Sequence, residues 1–384
     1  MALKQARRGA IPPFFVMEVM RAANARAAAG ADVLHLEVGQ PSTGAPSRVV
    51  EAAQRALAGE VLGYTEALGL PALREAIAGW YRDRWGVAVP PERIAVTTGS
   101  SAGFVLAFLA AFDRGDRVAL AAPGYPAYRN ILTALDLEVV ELPVGPEERF
   151  QPTVAALEWL DRPVDGLIVA SPSNPTGTVL DRASLAGVVD WCRGRGVRLV
   201  SDEIYHGISY GRDPTSALAL TPDAVVVNSF SKYFSMTGWR LGWLVVPPDL
   251  QRSVECLAQN LYISPPTLAQ RAAVAAFDCI DELEGHVRRY AENRAVLLNE
   301  LPAAGFDRLA PADGAFYVYA DVGELTDDSV AFCRRILEET GVAVTPGIDF
   351  DPARGHRFLR MSFAGATADM VEAARRLKAW RLKG

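Results

Sequence analysis

Cysteine is scarce in this chain of 384 residues, which has four copies at positions 192, 256, 279 and 333. No two of them form a Cys-x-x-Cys pair, and none lies at zinc-finger spacing from a histidine. Scattered cysteines of this kind are typical of reduced thiols in a protein core. The sequence therefore predicts neither a disulfide framework nor a metal site, and it favours a cytoplasmic location.

Long apolar runs and a surplus of basic charge are also missing. The longest apolar run, residues 102–112, is well short of the roughly 20 residues that span a bilayer. Lys4, Arg7 and Arg8 are followed by a stretch that prolines interrupt, which argues against a signal peptide. With 39 basic and 45 acidic side chains the net charge is −6. Neither a membrane nor a nucleic acid is therefore an expected partner.

Lysine is as rare as cysteine, since only positions 4, 232, 378 and 383 carry it and arginine supplies the remaining basic residues. Of the four, Lys232 alone lies in the interior of the sequence, directly after the apolar run 224–227. Lysine, unlike arginine, can lose its proton near neutral pH and act as a nucleophilic amine or a proton shuttle. Lys232 is therefore a candidate catalytic residue, although the count alone fits a surface lysine equally well.

What the sequence does contain is an ordinary globular composition, 50% apolar and 22% charged, and a length that suits two domains. Short β-type runs alternate with helical stretches such as 101–112 and 184–193. Most of these runs are continuously apolar, as expected for strands that helices cover on both faces. The predicted strands are residues 94–98, 117–121, 138–142, 166–170, 197–201, 224–228 and 241–246. The alternation predicts an α/β fold with a large, doubly wound, mainly parallel sheet.

The C-terminal part has a different pattern, typical of a smaller α+β domain. Its predicted elements are a long helix over 268–301, strands over 314–322, 342–345 and 357–363, a helix over 328–340, and a final helix from residue 368. We expect residues 46–275 to form the large domain. Residues 1–45 and 276–384 are expected to form the small one together.

Polar residues follow several of the predicted strands, at the edge where ligands bind in open α/β sheets. Residues 99–103, Gly-Ser-Ser-Ala-Gly, open a helix whose free N–H groups favour phosphate, although such residues also cap helices without any ligand. Asp202 ends a buried strand and needs a cationic or N–H partner, unless it only caps the next helix. Asn174 lies in a turn that by itself indicates only a loop.

Two arginines lie among apolar neighbours. Arg240 precedes Leu241, and Arg360 lies between Leu359 and Met361. Such arginines are expected to pair with a carboxylate or another anion. The sequence leaves open whether that anion belongs to the protein or to a substrate.

Taken together, these residues resemble the class I/II aminotransferases, fold-type I enzymes that depend on pyridoxal phosphate. The most specific match is residues 229–242, Ser-Phe-Ser-Lys-Tyr-Phe-Ser-Met-Thr-Gly-Trp-Arg-Leu-Gly, which look like that family's lysine signature. Further matches follow in order: Gly39-Gln40-Pro41, Gly63-Tyr64-Thr65, Gly99 to Gly103, Pro123-Gly124-Tyr125-Pro126, Ser173 to Gly177, Ser201 to Tyr205, and Phe358-Leu359-Arg360. The resemblance covers nearly the whole chain.

The resemblance implies a role for each matched residue. Lys232 would form the Schiff base with the cofactor and then carry the proton between the substrate Cα and the cofactor, so its pKa is expected to be lowered. Asp202 would pair with the pyridinium nitrogen. Asn174 and Tyr205 would bond the phenolic oxygen, and Tyr125 would stack on the ring.

The remaining implied roles concern the phosphate and the substrate. The phosphate would be bound by Ser100, Ser101, Ala102, Ser229 and Arg240. Tyr64 would reach it from a second subunit, which implies a homodimer with shared active sites. Arg360 would hold the substrate α-carboxylate, helped by Asn174 and by the backbone at Gly39.

The implied activity is reversible amino transfer between an L-amino acid and a 2-oxo acid, with 2-oxoglutarate as a plausible acceptor. One branch of the family binds a distal carboxylate with a lysine where this chain has Ser101, and residues 12–16, in the segment that usually folds over the substrate, are apolar. Both features favour neutral, apolar or aromatic amino acids over aspartate, unless an arginine from elsewhere or from the partner supplies the charge. Residues 40–43 depart from the family pattern and leave the lid geometry open.

Three alternatives stand beside this prediction. An aspartate-type aminotransferase and a β-eliminating carbon–sulfur lyase would use the same fold and cofactor, because the scaffold does not fix the reaction. The same domain can also serve as the ligand-sensing part of a transcription regulator. Such regulators carry a basic DNA-binding domain first, whereas only about 38 residues precede Gly39 here.

Overall fold

The structure is a computed structural model that describes residues 3–381, so Lys383 lies outside the described residues. Its helices are α1 (Phe15–Ala28), α2 (Ser47–Gly59), α3 (Pro71–Trp85), α4 (Ser100–Ala111), α5 (Pro126–Ala134), α6 (Val154–Glu158), α7 (Arg182–Arg195), α8 (Gln251–Leu261), α9 (Thr267–Ala273), α10 (Ile280–Glu300), α11 (Ser329–Thr340) and α12 (Thr367–Arg381). Its strands are β1 (Leu34–His35), β2 (Ile94–Thr97), β3 (Arg117–Ala122), β4 (Glu138–Pro143), β5 (Gly166–Ala170), β6 (Arg198–Asp202), β7 (Val225–Ser229), β8 (Gly242–Val245), β9 (Arg308–Leu309), β10 (Tyr317–Asp321), β11 (Val342–Ala343), β12 (Thr345–Pro346) and β13 (Phe358–Ser362).

Seven strands form the central sheet in the order β2-β8-β7-β6-β5-β3-β4. Strands β3 to β7 pair in parallel, whereas β8 runs antiparallel to both of its neighbours. All seven predicted strands are present, and each of their ends lies within one residue of the prediction. The predicted α/β fold with a mainly parallel sheet is confirmed, because strands buried on both faces must be apolar at consecutive positions.

The parallel arrangement brings the carboxyl ends of the strands to one edge of the sheet. β6 ends at Asp202 and β7 ends at Ser229, while β2 leads through Gly99 into α4. Residues 102–104 and 106–108 of α4 are buried, so the helix is apolar all round and packs inside the protein. Its N-terminus therefore opens at the same edge as Asp202 and Ser229.

The C-terminal residues form a second, smaller sheet with the order β12-β13-β10-β9. The N-terminal strand β1 pairs in parallel with β11, which joins residues 34–35 to residues 342–343. The domain boundaries at about residues 46 and 275 stay a prediction. None of the helices within residues 3–381 has both the length and the apolarity needed to cross a membrane.

Two predicted elements of the C-terminal part differ in the structure. The single helix expected over 268–301 is interrupted by a 3₁₀ turn, Val274–Asp278, and α10 starts after Cys279 with Asp281 and Glu282 in its first turn. Acidic residues favour a new helix start, a signal that the continuing apolar spacing hides. The strand expected over 342–345 is two short strands, because β11 pairs with β1 and β12 pairs with β13.

Candidate active site

Most of the residues singled out from the sequence line a single cavity at the carboxyl edge of the central sheet. Ten of them form its wall: Gly39, Ser100, Ser101, Tyr125, Asn174, Asp202, Tyr205, Lys232, Arg240 and Arg360. They come from segments up to 321 residues apart in the sequence, counted from Gly39 to Arg360. The strand ends and the small sheet thus converge on one polar site.

Lys232 lies three residues beyond the end of β7, with its amine inside the cavity. Its Nζ donates a hydrogen bond to the Gly39 carbonyl oxygen at 2.6 Å. Burial lowers the pKa of Lys232 to about 8, and the positive charges of Arg360 and Arg240 act in the same direction, while Asp202 opposes them. A substantial fraction of this amine is therefore neutral in mildly alkaline solution and able to accept a proton.

Asp202 is the last residue of β6 and is 4% exposed. One carboxylate oxygen accepts a hydrogen bond from the Tyr128 hydroxyl, and the other accepts one from the Ile204 N–H at 3.0 Å. Burial raises the pKa of Asp202 to about 6, although both hydrogen bonds and the Lys232 charge favour the carboxylate. The side chain is thus an anion at neutral pH, with no cation within salt-bridge distance in the described part of the chain.

Arg360 lies in the middle of β13 and is 3% exposed. Its Nη1 donates to Asn174 Oδ1 at 2.9 Å, and its Nη2 donates to the Glu37 carbonyl oxygen at 2.6 Å. The guanidinium carbon lies 4.4 Å from the ring centroid of Tyr317 and 4.7 Å from that of Phe350. Neutral acceptors and two aromatic faces hold the guanidinium in place but leave its charge unneutralised.

The partners of Arg360 bear on the question that the sequence left open. Within residues 3–381 no carboxylate lies within 4.0 Å of its guanidinium, and Arg360 Nε is buried without a hydrogen-bond partner. A buried charge without an ion-pair partner is costly, so the guanidinium is well placed to bind an anion. The planar fork of N–H groups matches a carboxylate.

The α4 N-terminus and Arg240 form a second cationic corner of the cavity. No side chain caps α4, so the first-turn amides are free to bind an anion. Arg240 has the positive φ of 52°, and its Nη1 donates only to the Thr237 carbonyl oxygen, at 3.1 Å. Gly99 has a φ of +79°, which favours glycine, and a β-carbon there would lie 2.7 Å from Arg240 Nη2, so the guanidinium lies close over the helix start.

Three of the predicted residues do not line the cavity. Ala102 is buried in the first turn of α4, and its side chain adds nothing to the surface of the site. The Ser229 hydroxyl bonds within its own loop, to the Leu241 carbonyl oxygen at 3.0 Å, and the neighbouring Ser231 lines the cavity instead. Tyr64 is 83% exposed and lies outside the cavity of its own chain.

The sequence reasoning missed Tyr128 and Tyr317, which hold the predicted residues in position. Tyr128 donates to Asp202, and the Tyr317 hydroxyl oxygen lies 2.7 Å from that of Tyr205. Tyr125 is the N-cap residue of α5, and Tyr128 lies in the first turn of that helix. Neither Tyr128 nor a tyrosine within the apolar strand β10 gave a local signal of its contact.

The comparisons with known proteins agree with this geometry. The family described as "Aminotransferase class I and II" matches residues 31–377. A valine–pyruvate aminotransferase of Mycobacterium tuberculosis is 55% identical over 379 residues, which cover 98% of each chain. The crystal structure of an aminotransferase from the same organism superposes with a TM-score of 0.98 at 54% identity and covers 100% of both chains.

A more distant solved structure has the same fold. The aspartate aminotransferase of Thermus thermophilus, determined with maleate, has a TM-score of 0.92 at 32% identity and covers 98% of this chain and 100% of its own. Enzymes of this family depend on pyridoxal phosphate and transfer an amino group to a 2-oxo acid. The chain belongs to the class I and II aminotransferases and is a pyridoxal phosphate-dependent enzyme of that kind.

Proposed function

We propose that this aminotransferase takes its amino group from a neutral, apolar L-amino acid of the size of valine. The acceptor would be a 2-oxo acid without a distal carboxylate, such as pyruvate. Support comes from the name of the Mycobacterium tuberculosis relative, which specifies valine and pyruvate. Independent support comes from the charges in the cavity.

The observation that carries the proposal is the number of cations in the cavity. Within the described residues, the cavity wall has three basic side chains: Lys232, Arg240 and Arg360. Under our assignment each has one task, as the reactive amine, the phosphate ligand and the α-carboxylate ligand. No basic side chain of the described cavity wall is left for a distal carboxylate. Such a group would be bound without its countercharge, at a considerable cost.

The wall opposite the polar residues is apolar. It is formed by Phe14, Val16, Met17, Val38 and Ile204. At position 101, where one branch of the family has a lysine, the chain has a serine at the cavity edge. Burial of an apolar substrate side chain against such a wall favours binding by about 25 cal/mol for each Å² of apolar surface removed from water.

The residues present fit the cofactor. Arg240 and the uncapped α4 N-terminus would hold its phosphate. Arg240 is a cation, the helix N-terminus is the positive end of a dipole, and neither has an acidic side chain as a partner in the described residues. The buried Asp202 carboxylate would face the ring nitrogen, and Asn174 and Tyr205 would bond the phenolic oxygen. Tyr125 would lie against the ring. When bound, the cofactor supplies an electron sink for the Cα carbanion of the substrate.

Lys232 and Arg360 would do the chain's own part of the chemistry. Arg360 would orient the substrate by its α-carboxylate, which fixes the direction in which the Cα–H bond points. The lowered pKa of Lys232, about 8, leaves part of its amine neutral. That amine would take the proton from the substrate Cα and deliver it to the cofactor, and the hydrogen bond to the Gly39 carbonyl oxygen would orient the amine.

We also propose a homodimer in which Tyr64 completes the partner's site. Val61 is 97% and Tyr64 is 83% exposed, and Ile263 lies exposed in a second loop. The two loops are joined, because Thr267 Oγ1 donates to the Gly63 carbonyl oxygen at 2.5 Å. Exposed apolar groups on adjoining loops are typical of an interface.

The proposal also includes a domain division and a location. Residues 46–275 would form the large domain, and residues 1–45 with 276–384 the small one, in keeping with the β1–β11 pairing. A cytoplasmic location would fit the four cysteines, which are all unpaired.

One experiment separates the proposal from its alternatives. The holoenzyme is mixed with valine, alanine, leucine, phenylalanine, glutamate or aspartate without any oxo acid, and the cofactor absorbance is followed. We expect conversion to the amino form of the cofactor fastest with a neutral amino acid, and its reversal by pyruvate. A preference for aspartate would indicate the aspartate-type enzyme. Cysteine, whose sulfur can leave from Cβ, is tested in the same way, and release of hydrogen sulfide, ammonia and pyruvate from it without an oxo acid would indicate the lyase.

A further inference from the structure

Helix α1 begins without a cap of its own. The N-cap position is Phe14, which has no side-chain hydrogen bond to the helix, and it follows two prolines. Serine, threonine, aspartate and asparagine are the residues that satisfy the free N–H groups of a first turn. None of them occurs in residues 11–14, so the local sequence leaves these amides without a partner.

The missing cap comes from Asp349, more than 330 residues further along the chain. Asp349 Oδ1 accepts a hydrogen bond from the Phe15 N–H, and Oδ2 accepts one from the Val16 N–H, each at 3.2 Å. Asp349 is 3% exposed. A carboxylate at this position also interacts favourably with the positive end of the helix dipole.

The turn that carries Asp349 is tied to both sides of the active site. The Asp349 carbonyl oxygen accepts from Arg129 Nη2 at 3.2 Å, and the Phe350 carbonyl oxygen accepts from the Gly124 N–H at 3.0 Å. The Phe350 ring faces the Arg360 guanidinium. The turn therefore lies in a fixed position relative to Tyr125, which follows Gly124, and to Arg360.

The segment that Asp349 holds supplies part of the apolar wall of the cavity. Phe14, Val16 and Met17 all line it, and the Phe14 ring packs edge-on against Tyr125 with 5.9 Å between centroids. Val16 and Met17 belong to the first turn of α1. If that turn unwinds, the wall loses its position over the substrate.

We propose that Asp349 is a positioning residue that determines substrate specificity, because its carboxylate caps α1 and so fixes the wall against which the substrate side chain packs. The proposal rests on the proposed function in its choice of substrate. It differs in kind from the roles of Lys232 and Arg360, since Asp349 does not line the cavity and acts through Phe14, Val16 and Met17.

The test compares Asp349→Ala and Asp349→Asn with Asp181→Ala in the holoenzyme. Asp181 is a matched control, because it caps α7 by accepting from the Ser184 N–H at 2.8 Å and does not line the cavity. Hydrogen exchange of the peptide that covers residues 14–18 is measured by mass spectrometry. KM and kcat are then measured for valine and alanine.

We expect Asp349→Ala to speed exchange in residues 14–18 about tenfold, the ordinary effect of losing a cap. KM for valine should rise about tenfold with kcat changed less than twofold, because the wall contributes uniform binding. Alanine, which reaches the wall less, should be affected less. Asp349→Asn keeps one acceptor oxygen, so its exchange rate and its KM for valine should lie between those of wild type and Asp349→Ala. Asp181→Ala should leave the exchange rate of residues 14–18 and both kinetic constants unchanged.

Two outcomes would overturn the proposal. Unchanged exchange in Asp349→Ala would mean that the carboxylate does not hold the first turn of α1. Faster exchange with an unchanged KM for valine would mean that the turn does not set specificity. Failure of the proposed function is separable, because the wild-type enzyme would then show no preference for neutral amino acids while the exchange result still decides whether Asp349 is the cap.

Discussion

The Tyr317 hydroxyl group fills the space beside Gly39 in which any other residue would carry its β-carbon. A β-carbon on Gly39 would lie 1.9 Å from the Tyr317 hydroxyl oxygen. The same tyrosine lies 2.7 Å from the Tyr205 hydroxyl oxygen, and the Gly39 carbonyl oxygen accepts from Lys232. The ring of Tyr317 also faces the Arg360 guanidinium. The close approach of Gly39 and Tyr317 thus links the positions of Lys232, Tyr205 and Arg360.

Gly39→Ala should therefore impair catalysis without unfolding the protein. Either Tyr317 or the Gly39 backbone must move, and displacements of about 1 Å near reacting groups cost on the order of 100-fold in rate. We expect kcat/KM for the half-reaction with valine to fall by about that factor. Gly44→Ala is the control, because a β-carbon there meets nothing within 4 Å. Equal kcat/KM values for the two variants would contradict the importance of this contact.

Asp202→Asn should stabilise the cofactor-free protein while abolishing activity. Burial raises the pKa of Asp202 from 3.8 to about 6, so the folded state binds more protons than the unfolded state between these values. Ionisation of the carboxylate therefore lowers the free energy of unfolding as pH rises from about 4 to 6, by roughly 3 kcal/mol once it is complete.

The measurement is urea unfolding of cofactor-free wild type and Asp202→Asn at pH 8 and at pH 4. The asparagine variant should be more stable by about 3 kcal/mol at pH 8 and nearly equal to wild type at pH 4. A gain of the same size at both pH values would show that its cause is not the buried charge.

Arg360→Lys should weaken substrate binding more than cofactor binding. A lysine keeps the charge but lacks the planar fork, and losing one charge-assisted hydrogen bond costs about 1.5–3 kcal/mol. We expect kcat/KM for valine to fall roughly 10- to 100-fold. The absorbance of the bound cofactor should be unchanged. Arg308→Lys, at a half-exposed position in β9, is the matched substitution and should have no effect.

A heterodimer tests whether Tyr64 acts across the interface. Lys232→Ala and Tyr64→Ala subunits are co-expressed with different tags, and the mixed dimer is isolated. If Tyr64 serves the partner, one site of the mixed dimer has both native residues and the other has neither. We expect about half of the wild-type activity at limiting cofactor. If Tyr64 serves its own subunit, no site is intact and the mixed dimer will be no more active than Tyr64→Ala itself.

The fold of the large sheet could be predicted from the sequence because the cause of each strand is local. A strand covered on both faces must be apolar at consecutive positions, and all seven such runs are strands. The reactive groups follow the same logic. Asp202 ends one buried strand and Lys232 follows another by three residues, and parallel strands bring such residues to one edge of the sheet.

The break between α9 and α10 was not predictable in this way. The apolar spacing runs on through Cys279, and only the packing of the chain decides that the helix is interrupted there. The division of residues 342–346 between β11 and β12 has the same origin, since each strand exists only through its pairing with a distant partner.

The amino-acid sequence by itself determined the central sheet, the lysine at its edge and most of the residues around it. The tertiary structure alone decided what holds them. Tyr128 reaches Asp202 across 74 residues, Tyr317 reaches Tyr205 across 112, and Asp349 reaches Phe15 across 334. Strand and helix formation depend on neighbours within a few residues, whereas these hydrogen bonds depend on where distant segments lie once the core has packed, and no local pattern records that distance.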